Sequence, residues 1–217
     1  MIATRNIEKS FNGEAVLKGI DLEIFDGEFV SIMGKSGSGK STLISIIGGF
    51  LKPDSGSVEL DGHNLHTLRE KELSRLRCTS LGFVFQAFKL IPTLNVIDNI
   101  MLPLTLGGMA SEEAYSYALS IARELGIDTM LKKFPNQLSG GQCQRVAIAR
   151  ALSYKPKTVI LDEPTGALDT AMEKTVMELL ARINKEQGTT VIQVTHSERV
   201  AAYGTRIIKI KDGIIEQ

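Results

Sequence analysis

At 217 residues the chain is long enough for one catalytic domain carrying an inserted subdomain. Its 25 Lys plus Arg balance 25 Asp plus Glu and the pI is near 6.8, so no overall field draws the molecule onto nucleic acid or anionic lipid. Only Cys78 and Cys143 are cysteines, far apart and in no metal-ligand spacing, which argues against a disulfide scaffold and for a reducing, cytoplasmic setting.

Met1 leads directly into Ile2-Ala3-Thr4-Arg5 without a basic and apolar leader, so no signal peptide is expected. Short β-rich runs separated by turn residues predict strands over residues 2–7, 20–25 and 29–33. A Gly/Ser-rich turn follows, then an apolar stretch over 42–47 that reads as a buried helix; the longer apolar run from Leu43 to Leu51 is interrupted by Ser45, Gly48 and Gly49 and is too short to span a membrane. Further strands are expected over 57–60, closed by Asp61-Gly62, and over 81–85. Helical patterns dominate next, over 96–101, 111–125 and 140–153, with Ser111 as N-cap ahead of Glu112 and Glu113. From Thr158 strands and helices alternate again: a strand over 158–162, a helix over 170–187, a strand over 189–194, a short helix, and strands over 207–211 and 213–216. The expected fold is α/β, with strand-rich segments at about 1–88 and 156–217 enclosing a helical subdomain at about 89–155.

Gly34-Lys35-Ser36-Gly37-Ser38-Gly39-Lys40-Ser41 matches G-x-x-x-x-G-K-[ST] between a predicted strand and a predicted helix. The glycines let successive N–H groups turn toward phosphates, and the helix N-terminus adds partial positive charge. Gly34, Ser36, Gly37, Ser38, Gly39, Lys40, Ser41 and Thr42 are therefore candidate nucleotide-binding residues. Lys40 is expected at the β- and γ-phosphates, and the Ser41 hydroxyl on Mg2+.

Thr158-Val159-Ile160-Leu161-Asp162-Glu163 is an apolar strand ending in two acids. Asp162 is expected to hold the Mg2+ shell, while Glu163, aimed differently, is placed to polarise an attacking water. Read by itself, the same ending also suits a capped strand. Leu138-Ser139-Gly140-Gly141-Gln142 precedes a helix carrying Arg145 and Arg150 and is a second candidate anion turn, or an ordinary N-cap with flexible glycines.

These three segments, in this order, resemble the ATP-binding subunits of ABC (ATP-binding cassette) transporters, in which Leu138 to Gln142 corresponds to the signature motif. The resemblance implies an ABC ATPase fold: a P-loop NTPase core with an N-terminal antiparallel β-subdomain and the inserted helical subdomain. It implies that Phe11 stacks on the adenine, with Val16 also at the nucleotide. It identifies Gln86 as the Q-loop glutamine, catalytic and metal-linked, Ala167-Leu168-Asp169 as the D-loop, and His196 as the switch histidine. Ser139, Gly140, Gly141 and Gln142 contact nucleotide across a dimer interface, and Glu163, His196, Gln86 and Lys40 form the catalytic set. Cys143 departs from the polar residue common in relatives and reads as a tolerated helix substitution. His63 and His66 match no motif and read as surface residues.

Two cassettes are thus expected to pack head to tail with ATP and Mg2+ between them. The membrane would be reached only through a separate permease at its cytoplasmic face, with no nucleic-acid partner. The segments 81–86, 92–96 and 102–104, with Thr165 to Asp169, resemble the group of macrolide-export, lipoprotein-release, bacitracin-type peptide-resistance and cell-division cassettes. An exporter or extractor of peptides, drugs or lipoproteins is the leading expectation, and a cassette that transmits force without transport is the alternative. Phe88, Leu90 and Ile91 lie where a loop should be polar and are expected to be exposed for docking the permease's coupling helix.

Overall fold

The computed structural model describes residues 1–216; Gln217, at the end of the expected 156–217 segment, lies outside the described residues. Ten strands in this range form two sheets. The first is antiparallel, in the order β2 (Glu14–Ile24), β1 (Ile2–Phe11), β4 (Ser55–Leu60), β5 (His63–Asn64). The second runs β10 (Ile214–Glu216), β9 (Arg206–Lys211), β3 (Phe29–Met33), β8 (Thr190–Val194), β7 (Thr158–Asp162), β6 (Leu81–Val84), and every neighbouring pair is parallel except β9 with β10. Its central strands β7 and β8 are buried throughout, which is why they read as unbroken apolar runs instead of alternating.

Seven α-helices accompany the sheets in the described residues: α1 (Lys40–Ile47), α2 (Glu70–Thr79), α3 (Val96–Leu106), α4 (Ser111–Glu124), α5 (Gly140–Leu152), α6 (Thr170–Gln187) and α7 (Glu198–Ala201). One apolar cluster fills the space between the sheets around α1, joining Ile7, Leu17 and Ile24 to Ile32, Ile160 and Ile192 through Leu43, Ile44 and Ile47. Each such fully buried aliphatic side chain contributes about 1.5–3 kcal/mol. A second cluster covers the opposite face of the six-stranded sheet, where Val159, Leu161 and Val191 meet Ile100, Val146, Ile148, Val176 and Leu180. Ala118 and Ala122 of α4 are wholly buried there, so helices α4 and α5 approach closely through small residues.

Several elements differ from their sequence expectation. β2 begins at Glu14 rather than near residue 20, and β1 continues to Phe11, because register shifts and the left-handed Asn6 (φ 46°) and Gly19 (φ 80°) break the alternation that marks a strand. α2 carries a single buried residue, Leu73, so its sequence gives almost no periodic signal. α3 runs through Pro103 to Leu106 instead of stopping at residue 101. Ala110, not Ser111, is the N-cap of α4; Ser111 is the first helical residue and its hydroxyl caps nothing. His63 is exposed, but His66 is half-buried with Nε2 lacking a hydrogen-bond partner, and burial, reinforced by the charge of Lys52, holds its pKa below the usual value.

Candidate functional site

Parallel pairing brings the carboxyl ends of β3, β8, β7 and β6 to one edge of the sheet: Ile32 pairs with Val194, Val194 with Asp162, and Leu161 with Val84. The P-loop, His196, Glu163 and Gln86 all follow directly from those ends, the place where open α/β sheets bind ligands.

In the P-loop, Gly37 (φ 80°) and Gly39 (φ 99°) take left-handed backbone that other residues adopt at a cost. A Cβ on Gly39 would lie 2.7 Å from a Leu17 methyl and 2.9 Å from the Val16 carbonyl, so the half-buried Val16 forms the floor under the loop. Gly39 is the N-cap of α1 and brings no side-chain acceptor, and the first turn contains no acid. The first-turn amides are therefore left uncapped by side chains. Lys40 is buried and its Nζ donates to the carbonyls of Gly34 at 2.9 Å and Lys35 at 2.8 Å. The Ser38 hydroxyl is buried with no hydrogen-bond partner among the described residues. Ser36 is exposed, and Thr42 is half-buried on α1.

The two acids at the end of β7 have different partners. Asp162 is buried and accepts from the Ser41 hydroxyl at 3.0 Å. Burial raises its pKa and the neighbouring Glu163 charge adds to the rise, against the lowering effects of the Ser41 hydrogen bond and Lys40. Glu163 is a left-handed residue (φ 48°), a conformation that costs about 1–2 kcal/mol outside glycine. Its carboxylate stands 3.3 Å from His196 Nδ1, beside a cavity of about 190 Å³ lined also by Thr165, Gly166, Leu168 and Thr195. Ser41 and Asp162 together offer hard oxygen donors of the kind Mg2+ takes. No group of three His, Cys, Asp or Glu able to hold a metal ion occurs among the described residues.

Phe11 ends β1 with 45% of its surface exposed and Lys9 Nζ 5.6 Å from its ring centroid, so it is no core residue. Gln86 is exposed just beyond β6 and makes no side-chain hydrogen bond among the described residues.

The Ser139 turn is closed on itself. Ser139 Oγ accepts from Gln142 N at 3.3 Å and Gln142 Oε1 accepts from Ser139 N at 2.9 Å, a reciprocal capping box. A Cβ on Gly141 would come within 2.9 Å of the Ala167 carbonyl, so the turn needs glycine to pack on the 166–168 loop. Among the described residues it makes no hydrogen bond to the P-loop or to Asp162 and Glu163. Cys143, next along α5, is buried, and its thiol pKa is raised by that burial, which makes it a poor nucleophile.

The stretch expected to be exposed for docking is half-buried instead. Phe88 and Leu90 pack against the helical cluster, and Ile91 lines a groove of about 360 Å³ with Phe50, Phe83, Phe85, Leu102 and Leu106. Phe83 and Phe85 lie on one face, with ring centroids 4.4 Å apart. Two residues that shape this region carry no motif. Asn99 is wholly buried and binds the 91–95 loop through Ile91 N at 2.9 Å, Ile91 O at 3.1 Å, Leu94 O at 2.9 Å and Asn95 O at 3.0 Å. Arg150 reaches back from α5 to the carbonyls of Phe88 and Lys89. An amide inside an apolar helical run was the available signal for Asn99; Arg150 offered none beyond its helix.

A family model described as ABC transporter matches residues 17–166. MJ0796, an uncharacterized ABC transporter ATP-binding protein of Methanocaldococcus jannaschii, is 46% identical over 225 residues, covering 100% of this chain and 96% of that protein. The solved dimeric post-hydrolysis state of the MJ0796 cassette bound to ADP and Pi matches with TM-score 0.96 at 44% identity, over 100% of this chain and 97% of that one. The lipoprotein-releasing system ATP-binding protein LolD of Bacteroides thetaiotaomicron is 42% identical, covering 100% of both chains. The bacitracin export ATP-binding protein BceA of Halalkalibacterium halodurans is also 42% identical, covering 99% of this chain and 87% of that protein.

Proposed function

The chain belongs to the ABC transporter family as an ATP-binding cassette with ATP hydrolase activity, and from that premise we propose that it works as a head-to-tail dimer driving a separate membrane permease. The observation that carries the reading is the division of labour at the sheet edge: Ser41 with Asp162 on one side, Glu163 with His196 on the other, around an uncapped helix N-terminus.

In this reading the amides of residues 37–42 hold the phosphates, with Gly34, Ser36, Gly37, Ser38 and Gly39 shaping the loop. Lys40 keeps its charge and turns its Nζ–H donors from the Gly34 and Lys35 carbonyls toward phosphate oxygens. Phe11 supplies a π-face to the adenine and Val16 the floor beside it. Mg2+, held by Ser41 and Asp162 with Gln86 near its shell, would neutralise phosphate charge when bound. Glu163 takes a proton from the attacking water while His196, at 3.3 Å, orients that carboxylate and hydrogen-bonds the departing phosphate. Residues 1–88 and 156–217 form the nucleotide core, and 89–155 the helical arm that carries Ser139, Gly140, Gly141 and Gln142 to the partner's ATP. Clamping a γ-phosphate from two sides excludes water and stabilises developing charge.

The family relationship and the names of LolD and BceA support an exporter or extractor of lipoproteins, peptides or drugs. No helix among the described residues is long and apolar enough to cross a membrane, so a permease would supply the spans and hold the cassette at the cytoplasmic face. The groove between Phe85, Ile91 and Leu102 is the docking place this reading assigns to it. Replacing Glu163 with Gln is expected to leave ATP affinity intact and cut turnover by about 100-fold or more, the range for a general base. Measured turnover near that of the unmodified protein would remove Glu163 from the role.

A further inference from the structure

Arg150 stands in the last turn of α5, the helix whose first turn is the Ser139 motif. Its guanidinium is half-buried and pairs with no carboxylate among the described residues; one Nη donates to the Lys89 carbonyl at 2.8 Å and the other to the Phe88 carbonyl at 3.0 Å. Both receiving residues are left-handed, Phe88 at φ 60° and Lys89 at φ 49°, and neither is glycine. The turn before them is tight, with Phe88 N donating to Phe85 O at 2.9 Å and Lys89 N to Ala87 O at 2.6 Å.

Gln86 lies inside this turn. On one side it is anchored by β6, whose Val84 pairs with Leu161, the residue before Asp162. On the other side the chain leaves through two successive left-handed residues, which do not persist without outside support. The local bonds occupy the Phe88 and Lys89 N–H groups, and Arg150 takes the carbonyls of the same two residues. A planar fork reaches two neighbouring carbonyls at once, which a single ammonium does not. The Phe88 ring extends the same connection along α5, its Cζ 3.9 Å from where a Cβ on Gly140 would be.

We propose that Arg150 is a positioning residue for Gln86: its fork fixes the backbone of Phe88 and Lys89 and thereby sets where the Gln86 amide stands beyond β6, the strand that pairs with β7 and its terminal Asp162. The inference rests on the reading of Gln86 as part of the hydrolytic site.

The test is a double-mutant cycle on steady-state ATPase activity of the cassette, using Arg150→Lys, Gln86→Ala and the pair. Arg150→Lys is expected to lower kcat about tenfold, equivalent to about 1.4 kcal/mol, while KM stays within about twofold. Placed on Gln86→Ala it is expected to cause no further loss, because both changes act through one side chain. Adding Lys89→Gly to Arg150→Lys is expected to recover part of kcat, since glycine adopts positive φ without support. If Arg150→Lys does not fold, Arg150→Gln, which keeps a donor for one carbonyl, enters the same cycle. Unaltered kcat in the Arg150 variant, or its full loss repeated on Gln86→Ala, would overturn the inference. Unaltered turnover in Gln86→Ala alone would remove Gln86 from the site and this inference with it, a failure distinct from additivity.

Discussion

Two glycine-containing turns open helices in this chain, and they are built in opposite ways. At α1, Gly39 is a left-handed N-cap with no side chain to offer, so the first-turn amides face the loop's interior unclaimed by side chains. At α5, Ser139 and Gln142 satisfy each other's backbone N–H groups in a capping box, and the turn is packed against the 166–168 loop. A helix N-terminus attracts anions only as far as its donors are free. On the proposed reading the first turn is a phosphate cradle inside one chain, while the second, closed by its own capping box, meets the nucleotide of a partner chain.

The largest effect expected to sharpen this contrast is at Lys40. Lys40→Ala should weaken ATP binding to the monomer on the order of 10- to 100-fold, the loss of charged hydrogen bonds worth about 1.5–3 kcal/mol. Ser139→Arg, at the second turn, should leave the monomer's affinity within about twofold while abolishing turnover. Calorimetry on dilute protein checks both, and a large affinity loss in Ser139→Arg would erase the distinction.

Next in size is Phe11→Ala, expected to cost about 1–3 kcal/mol in binding of both ATP and GTP, because stacking reads a ring face rather than hydrogen-bond identity. Equal affinity before and after would place the base elsewhere. Ser139→Ala should then lower stability by about 1 kcal/mol through loss of the cap, visible as a reduced Tm with unchanged monomer affinity. No such stability loss follows from Ser36→Ala in the P-loop, where the exposed hydroxyl caps nothing.

The smallest effect lies outside both turns and serves as their control. His66 has its pKa held below 6.5 by burial and, secondarily, by Lys52. The unfolded chain therefore takes up the proton first as pH falls from 6.5 toward the lowered value, and folded stability declines across that window. His66→Gln should flatten this part of the Tm-against-pH curve without moving nucleotide affinity; an unaltered slope would show that His66 is not its source.

Much of the sheet edge that carries the candidate site was legible in the sequence because its spacing is local. Gly34 to Ser41 and Thr158 to Glu163 each sit at one strand end, and three strands in parallel register, β3, β8 and β7, bring Ser41 and Asp162 to 3.0 Å. The helical side was less legible where its order comes from contacts remote in sequence. Nothing near Phe88 announces that Arg150, 62 residues on, bonds its carbonyl and that the apolar loop turns inward. Likewise Pro103 and the polar face of α2 obscure helices that tertiary packing sustains. The expectation of an exposed Phe88 failed for that reason: the loop's apolar residues serve the core beside α5.

The most direct test of the contrast mixes two defective chains, Lys40→Ala and Ser139→Arg, each inactive alone. In a head-to-tail dimer the mixed pair joins the intact P-loop of one chain to the intact Ser139 turn of the other. Turnover should return on mixing, to about a quarter of the normal rate, since random pairing makes about half the dimers mixed and each has one intact site of two. If each turn served its own chain's nucleotide, mixing would restore nothing, and turnover no greater than the two variants give separately would contradict the account.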